Sequence, residues 1–181
     1  MSRIPLVEES QRPDLAPLIE KIKAQRGGRF LNLYRTLAHS PTVCEGWLGL
    51  FTAIRQKAKL DGASRELAIM RVAVVNGAEY EYRAHMPFAL KEGLTQQQID
   101  DLPSWTVSDA YPPKLRAVLA YTDAMTKEIR VPDAVFAAVR AHFDERETVE
   151  LTATIGGYNL VSRFLEAVQM PHETGELKAH N

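Results

Sequence analysis

Nine consecutive residues, Leu67 to Val75, read LAIMRVAVV. Only Arg71 interrupts their apolar character, so the rest of the chain must enclose this segment on nearly every side. Its β-branched content suits a buried strand, and periodicity does not choose between strand and helix for a run apolar nearly all round. The neighbours favour helix, because no other segment offers a strand partner. The run reads as a central helix, capped by Ser64 and ending near Asn76-Gly77.

Helical punctuation recurs on both sides. DLAPLIEKIKAQ follows Pro13 and stops at Gly27-Gly28, and RFLNLYRTLAHS stops before Pro41. From Thr42 to Lys57, Val43, Trp47, Leu50, Phe51 and Ile54 recur at helical spacing and predict one apolar face. A helix from about Glu79 to Lys91 closes at Gly93, and Thr95 caps the short helix in TQQQIDDL. PPKLRAVLAYTDAMTKEI carries its prolines where a first turn tolerates them, and Pro132 opens DAVFAAVRAHF. Asp144 with Glu147 has the spacing of a capping box ahead of a long last helix. Gly156-Gly157 within that helix predicts a close contact or a bend. The reading is one all-α domain with an extra N-terminal helical hairpin: an extension over 1–40, a helical domain over 41–170 and a mobile tail over 171–181.

With 181 residues, 45% apolar and 25% charged, the chain can bury one core. A formal net charge of −1 and scattered basic residues give no field for nucleic acid. MSRIPLVEESQRPDL lacks the apolar centre of a signal peptide, and no apolar run approaches the roughly 20 residues of a membrane span. The single cysteine, Cys44, has no internal disulfide partner and lies on an apolar helix face, where it acts as a small hydrophobe. A soluble cytoplasmic protein is expected.

Ionisable groups crowd against this apolar centre. Glu81 and His85 lie four apart, on one helix face. Glu66 stands in the first turn of the preceding helix, where the dipole favours a carboxylate. His85 follows Gly77 by eight residues and Glu66 precedes it by eleven, so antiparallel packing about Gly77 brings the two to similar heights. A histidine set by carboxylates is equipment for general acid–base catalysis near neutral pH. Plainer roles stand beside that one: Glu66 as a helix-start charge paired with Arg65 or Arg71, Glu81–His85 as a solvated helix pair, and Tyr80 and Tyr82 as packing residues.

The same residues resemble the carboxymuconolactone decarboxylase / alkylhydroperoxidase D-like superfamily. Its thiol peroxidases carry Glu, eleven residues, Cys-x-x-Cys, three residues, His. Here Glu66 and His85 fill the outer positions, while Ala78 and Glu81 stand in the two cysteine positions. HMPFALKEGLTQQQIDDL and, less closely, GGYNLVSRF also look like the family; the likeness is best over Pro41–Leu102. It implies an alkylhydroperoxidase D-like helical bundle. Peroxidase activity, which the superfamily name suggests, needs a reactive thiolate and a resolving cysteine, and both are absent.

The cysteine-free branch is similar to lactone decarboxylases of aromatic catabolism. The resemblance implies a cofactor-free lyase with a small carboxylated lactone or related carbonyl compound as substrate. In it His85 is the acid, Glu66 holds it, and Glu81 relays protons. Tyr82, Arg83 and Arg163 are candidates for substrate contact. It also implies a homo-oligomer, a trimer or hexamer. Two other classes are carried alongside: a metal-dependent enzyme using the same three side chains, and a non-catalytic helical oligomerisation module.

Overall fold

In the computed structural model, which describes residues 2–173, LAIMRVAVV is helical. It lies within α4 (Gly62–Asn76), where Leu67, Ala68, Ile69, Met70 and Val72 are sealed from solvent. Full burial of each large side chain contributes about 1.5–3 kcal/mol, which is what holds an all-round apolar helix at the centre. Its start differs from expectation by one turn. Asp61, not Ser64, is the N-cap, and its side chain accepts the Ser64 backbone N–H at 2.9 Å. Asp61 also meets Lys114 at 2.7 Å, which ties it to the first turn of α7 (Pro113–Asp123). The end is as expected: Gly77 takes φ +65°, a left-handed conformation that costs glycine little.

The chain divides into two compact units, residues 58–164 and residues 1–57 with 165–181. In the first of these, α4 packs mainly against α5 (Glu79–Lys91) and α7. The bounds of α5 match the expected ones. Thr95 and Gln98 form a reciprocal capping box on α6 (Gln96–Asp100). Beyond α7 the helix widens to π spacing over Ala124–Glu128, then α8 (Asp133–Arg140) packs on α7. Asp144 and Glu147 cap α9 (Glu145–Val168) reciprocally, at 2.8 and 3.0 Å. Around Gly156 there is open space, so no close helix contact requires that glycine.

The other unit holds α1 (Ala16–Gln25), α2 (Asn32–Leu37) and α3 (Pro41–Thr52), with a π turn over Ala53–Lys57. Both α1 and α2 pack on α3, and Val7, Leu15, Ile19 and Ala38 form a small core roofed by Phe30. The expected apolar face of α3 is only partly covered. Cys44, Trp47, Phe51 and Ile54 are buried, but Val43 and Leu50 stay 53% and 44% exposed. Of the tail expected over 171–181, Pro171 and Glu173 bond to Asn32, and residues 174–181 lie outside the described residues. Among the described residues there is no strand, and no helix is long and apolar enough to cross a membrane.

Candidate active site

The tight turn at Gly77 lays α5 back along α4, and the expected meeting of Glu66 with His85 takes place. His85 Nδ1 lies 2.6 Å from Glu66 Oε2, and Nε2 lies 3.2 Å from Glu81 Oε2. All three side chains are buried: Glu66 is 2% exposed, Glu81 5% and His85 5%. The imidazole therefore stands between two carboxylates, one from each helix. Arg65 closes the far side of Glu66, with Nε 3.2 Å from Oε1, and reaches Glu92 at 3.2 Å. Of the two arginines expected to compete for Glu66, Arg65 takes it.

Burial alone favours the neutral imidazole and is the largest influence on His85. The charges of Glu66 and Glu81, with the hydrogen bond to Glu66, outweigh it, so the pKa of His85 rises above its ordinary 6.5. The two carboxylates are held differently. Glu66 is engaged at both oxygens, whereas Glu81 Oε2, despite its closeness to Nε2, is out of hydrogen-bond alignment and has no protein donor. A buried oxygen without a donor costs about 1–3 kcal/mol or more, a sacrifice that proton chemistry or a ligand can explain.

Residues 41–124 match the Carboxymuconolactone decarboxylase family. The uncharacterized protein YdfG of Bacillus subtilis (strain 168) is 33% identical over 111 residues, 60% of this chain and 76% of that protein. The chain belongs to the carboxymuconolactone decarboxylase/AhpD-like superfamily. A protein of unknown function from Agrobacterium tumefaciens, assigned by name to AhpD antioxidant defence, superposes with a TM-score of 0.71. It is 27% identical, over 77% of this chain and 96% of that one. The debrominase Bmp8, in complex with 2,3,4-tribromopyrrole, shares the fold with a TM-score of 0.74 at 20% identity, over 94% and 91% of the two chains.

Ala78 is buried at the start of α5, and Glu81 presents a carboxylate to the imidazole. The one thiol belongs to Cys44, where burial first and Glu45 second push its pKa up to about 11. It stays protonated and poorly nucleophilic near neutral pH. Nor do the carboxylates converge on a common point, since they address opposite nitrogens of one ring. Among the described residues no group of three or more His, Cys, Asp and Glu is placed to hold a metal ion.

The structure does not gather the three substrate-contact candidates around His85. Tyr82 directs its hydroxyl to the Ile99 carbonyl at 3.4 Å. Arg83 is exposed and pairs with Glu79, and Arg163 is exposed and bonds Asn159 Oδ1 at 2.6 Å. Aromatic neighbours fill part of the space instead. Tyr158 meets the imidazole edge-on with ring centroids 5.0 Å apart, and Phe88 lies tilted at 5.8 Å. Tyr158 follows Gly156-Gly157 directly, and its neighbour Asn159 is held by Asn76 at 3.1 Å and bonds Thr126 at 3.0 Å. That network fixes the register of α9 against the α4–α5 turn. Pro87, inside α5 two residues past His85, has no N–H for the Arg83 carbonyl and loosens the helix beside the site.

Proposed function

We propose that this protein is a cofactor-free lyase that acts by general acid–base chemistry on a small carboxylated lactone or a related carbonyl compound. The observation that carries the proposal is the buried Glu66–His85–Glu81 line, with the His85 pKa raised and one Glu81 oxygen unmatched. When a carboxylate leaves an unsaturated lactone as CO2, its bonding electrons spread onto the lactone carbonyl oxygen. The dienolate must then take a proton on carbon. His85, its pKa raised by the two carboxylates, supplies that proton in its charged form. Glu66, anchored by Arg65, stabilises the imidazolium, and Glu81 relays a proton taken up from water back to His85.

The debrominase and AhpD names belong to proteins that share this fold. A thiol-based reaction here lacks both the thiolate and its resolving partner. A second reading, a non-catalytic helical module, is favoured by one observation: His85 is only 5% exposed. The proposal extends to a homo-oligomer in the cytoplasm. Exposed Val43 and Leu50 on α3, beside Gly46 and Gly49, support contact between copies, and light scattering of the purified protein tests it.

The deciding experiment screens unsaturated lactones, β-keto acids and peroxides, with His85→Ala, checked for folding by circular dichroism, as control. Turnover of a lactone or keto acid that the variant loses supports the lyase. Turnover unchanged in the folded variant, or peroxide turnover alone, rejects it. An NMR titration of His85 unaffected by any of the compounds favours the non-catalytic module.

A further inference from the structure

In the unit that contains α1–α3, one buried charge has no counter-charge. Arg26, the residue after α1, is 8% exposed. Its Nε donates to the Tyr34 hydroxyl at 2.9 Å, and its Nη1 donates to the Gln25 carbonyl at 2.8 Å and to Thr52 Oγ1 at 3.2 Å. Nη2, buried as well, donates to nothing. All three partners are neutral, and among the described residues Arg26 has no carboxylate in ion-pair contact.

A guanidinium cannot escape this cost by losing its proton, unlike a buried lysine or histidine. The carbonyl end of α1 offsets at most about half an elementary charge. Arg71, buried to a similar depth, shows what a satisfied arginine looks like here. Asp123 takes its Nε and Nη2 at 2.6 and 2.8 Å, and the Leu102 carbonyl takes Nη1 at 2.7 Å. Arg26 has the burial without the anion.

Tyr34 adds a second donor. Its hydroxyl oxygen accepts from Arg26, so its own proton points elsewhere. Burial raises its pKa against the opposing charges of Arg26 and Arg55, and the phenol remains a donor at neutral pH. Next to Arg26 the chain turns through Gly27 and Gly28, both exposed, with nothing within 4 Å of where a Gly28 side chain would begin.

We propose that Arg26 Nη2 and the Tyr34 hydroxyl form a binding site for a small monocarboxylate. One uncompensated positive charge is neutralised by a monoanion, whereas a phosphate dianion would leave an excess negative charge in the same buried place. The site is independent of the His85 chemistry.

The test titrates the full chain with sodium acetate at constant ionic strength, chloride making up the balance. Thermal melts and the ¹⁵Nε resonance of Arg26 are the readouts. The expected result is a saturable rise in Tm with a matching saturable shift of the Arg26 resonance. Tyr34→Phe weakens the apparent affinity several-fold, Arg26→Met abolishes the response, and His85→Ala keeps it. A Tm that does not respond, or that responds equally in Arg26→Met, overturns the site. Should Arg26→Met not fold, an Arg26 resonance that acetate leaves unmoved, or that moves identically in Tyr34→Phe, overturns it. Inorganic phosphate bound more tightly than acetate overturns the monocarboxylate assignment.

Discussion

Helix α4 carries two buried ionic groups five residues apart, and they are built on opposite principles. At Arg71 each guanidinium nitrogen has a partner: Asp123 holds two of them, the Leu102 carbonyl takes the third, and Trp105 Nε1 reaches Asp123 at 3.1 Å. At Glu66 the line runs through a titratable ring to a carboxylate that keeps one buried oxygen undonated. Arginine stays charged at any physiological pH, while the imidazole changes charge within it. The first arrangement can only hold the fold. The second can release and regain a proton, beside an oxygen that no donor satisfies.

The comparison breaks first, if it is wrong, on activity. His85→Ala should lower turnover of the responsive substrate by about 10²–10⁴-fold, the usual worth of a placed acid, while Asp123→Ala lowers it only through lost folded protein. Rates normalised to the folded fraction read the difference. Equal specific-activity losses in both variants would erase the distinction.

On stability the ranking reverses. Asp123→Ala strands a buried guanidinium and should cost about 3–5 kcal/mol in urea unfolding, unless water enters to solvate Arg71. A cost below about 1 kcal/mol would show that the Arg71 cluster is not a closed structural unit.

Glu66→Gln probes what keeps His85 charged. Burial opposes the charge and Glu66 is the largest favourable influence, so the variant should titrate below the wild-type value by imidazole NMR. The sign for stability follows. Because folding raises the His85 pKa above 6.5, the group's contribution is fully present below about pH 6.5 and is lost as pH rises through the folded value. Urea midpoints of the wild type should therefore decline on the alkaline side of 6.5 more steeply than those of Glu66→Gln. Parallel profiles would mean that Glu66 does not hold the imidazolium.

Much of this contrast is legible in the sequence, because its parts are close along the chain. Gly77 is a stop signal that only one short turn can follow, so the helix bounds of α5 and the height match of Glu66 with His85 come from counting. What stays hidden depends on distant partners. Tyr158 touches a ring 73 positions earlier (158 − 85), and no local pattern announces that contact. Asp61 displaces Ser64 as the cap because Lys114, far along the chain, also holds it. Periodicity finds the α3 stripe, yet cannot say that Val43 and Leu50 lack cover within the chain. The π turns after α3 and α7 are likewise invisible, since a widened turn follows from packing rather than from residue type. The open valence of Glu81 belongs to this hidden class: its spacing to His85 reads from the sequence, its missing donor does not.

The smallest effect is the sharpest test. Glu81→Gln and Asp123→Asn are the same chemical change, a carboxylate made into an amide of equal shape. At Asp123 the change removes the charge that a buried arginine requires and should cost several kcal/mol, on the order of a broken buried pair. At Glu81 no aligned hydrogen bond is lost, only the charge beside the imidazole, and the new amide can donate where the carboxylate could not. Its net effect on urea unfolding should stay within about 1 kcal/mol, of either sign, while turnover falls because an amide cannot carry a proton through the site. If Glu81→Gln destabilises as much as Asp123→Asn, then Glu81 is an ordinary structural partner of His85. The two buried ionic groups of α4 would then follow one principle, and the proton-transfer reading would lose its physical basis.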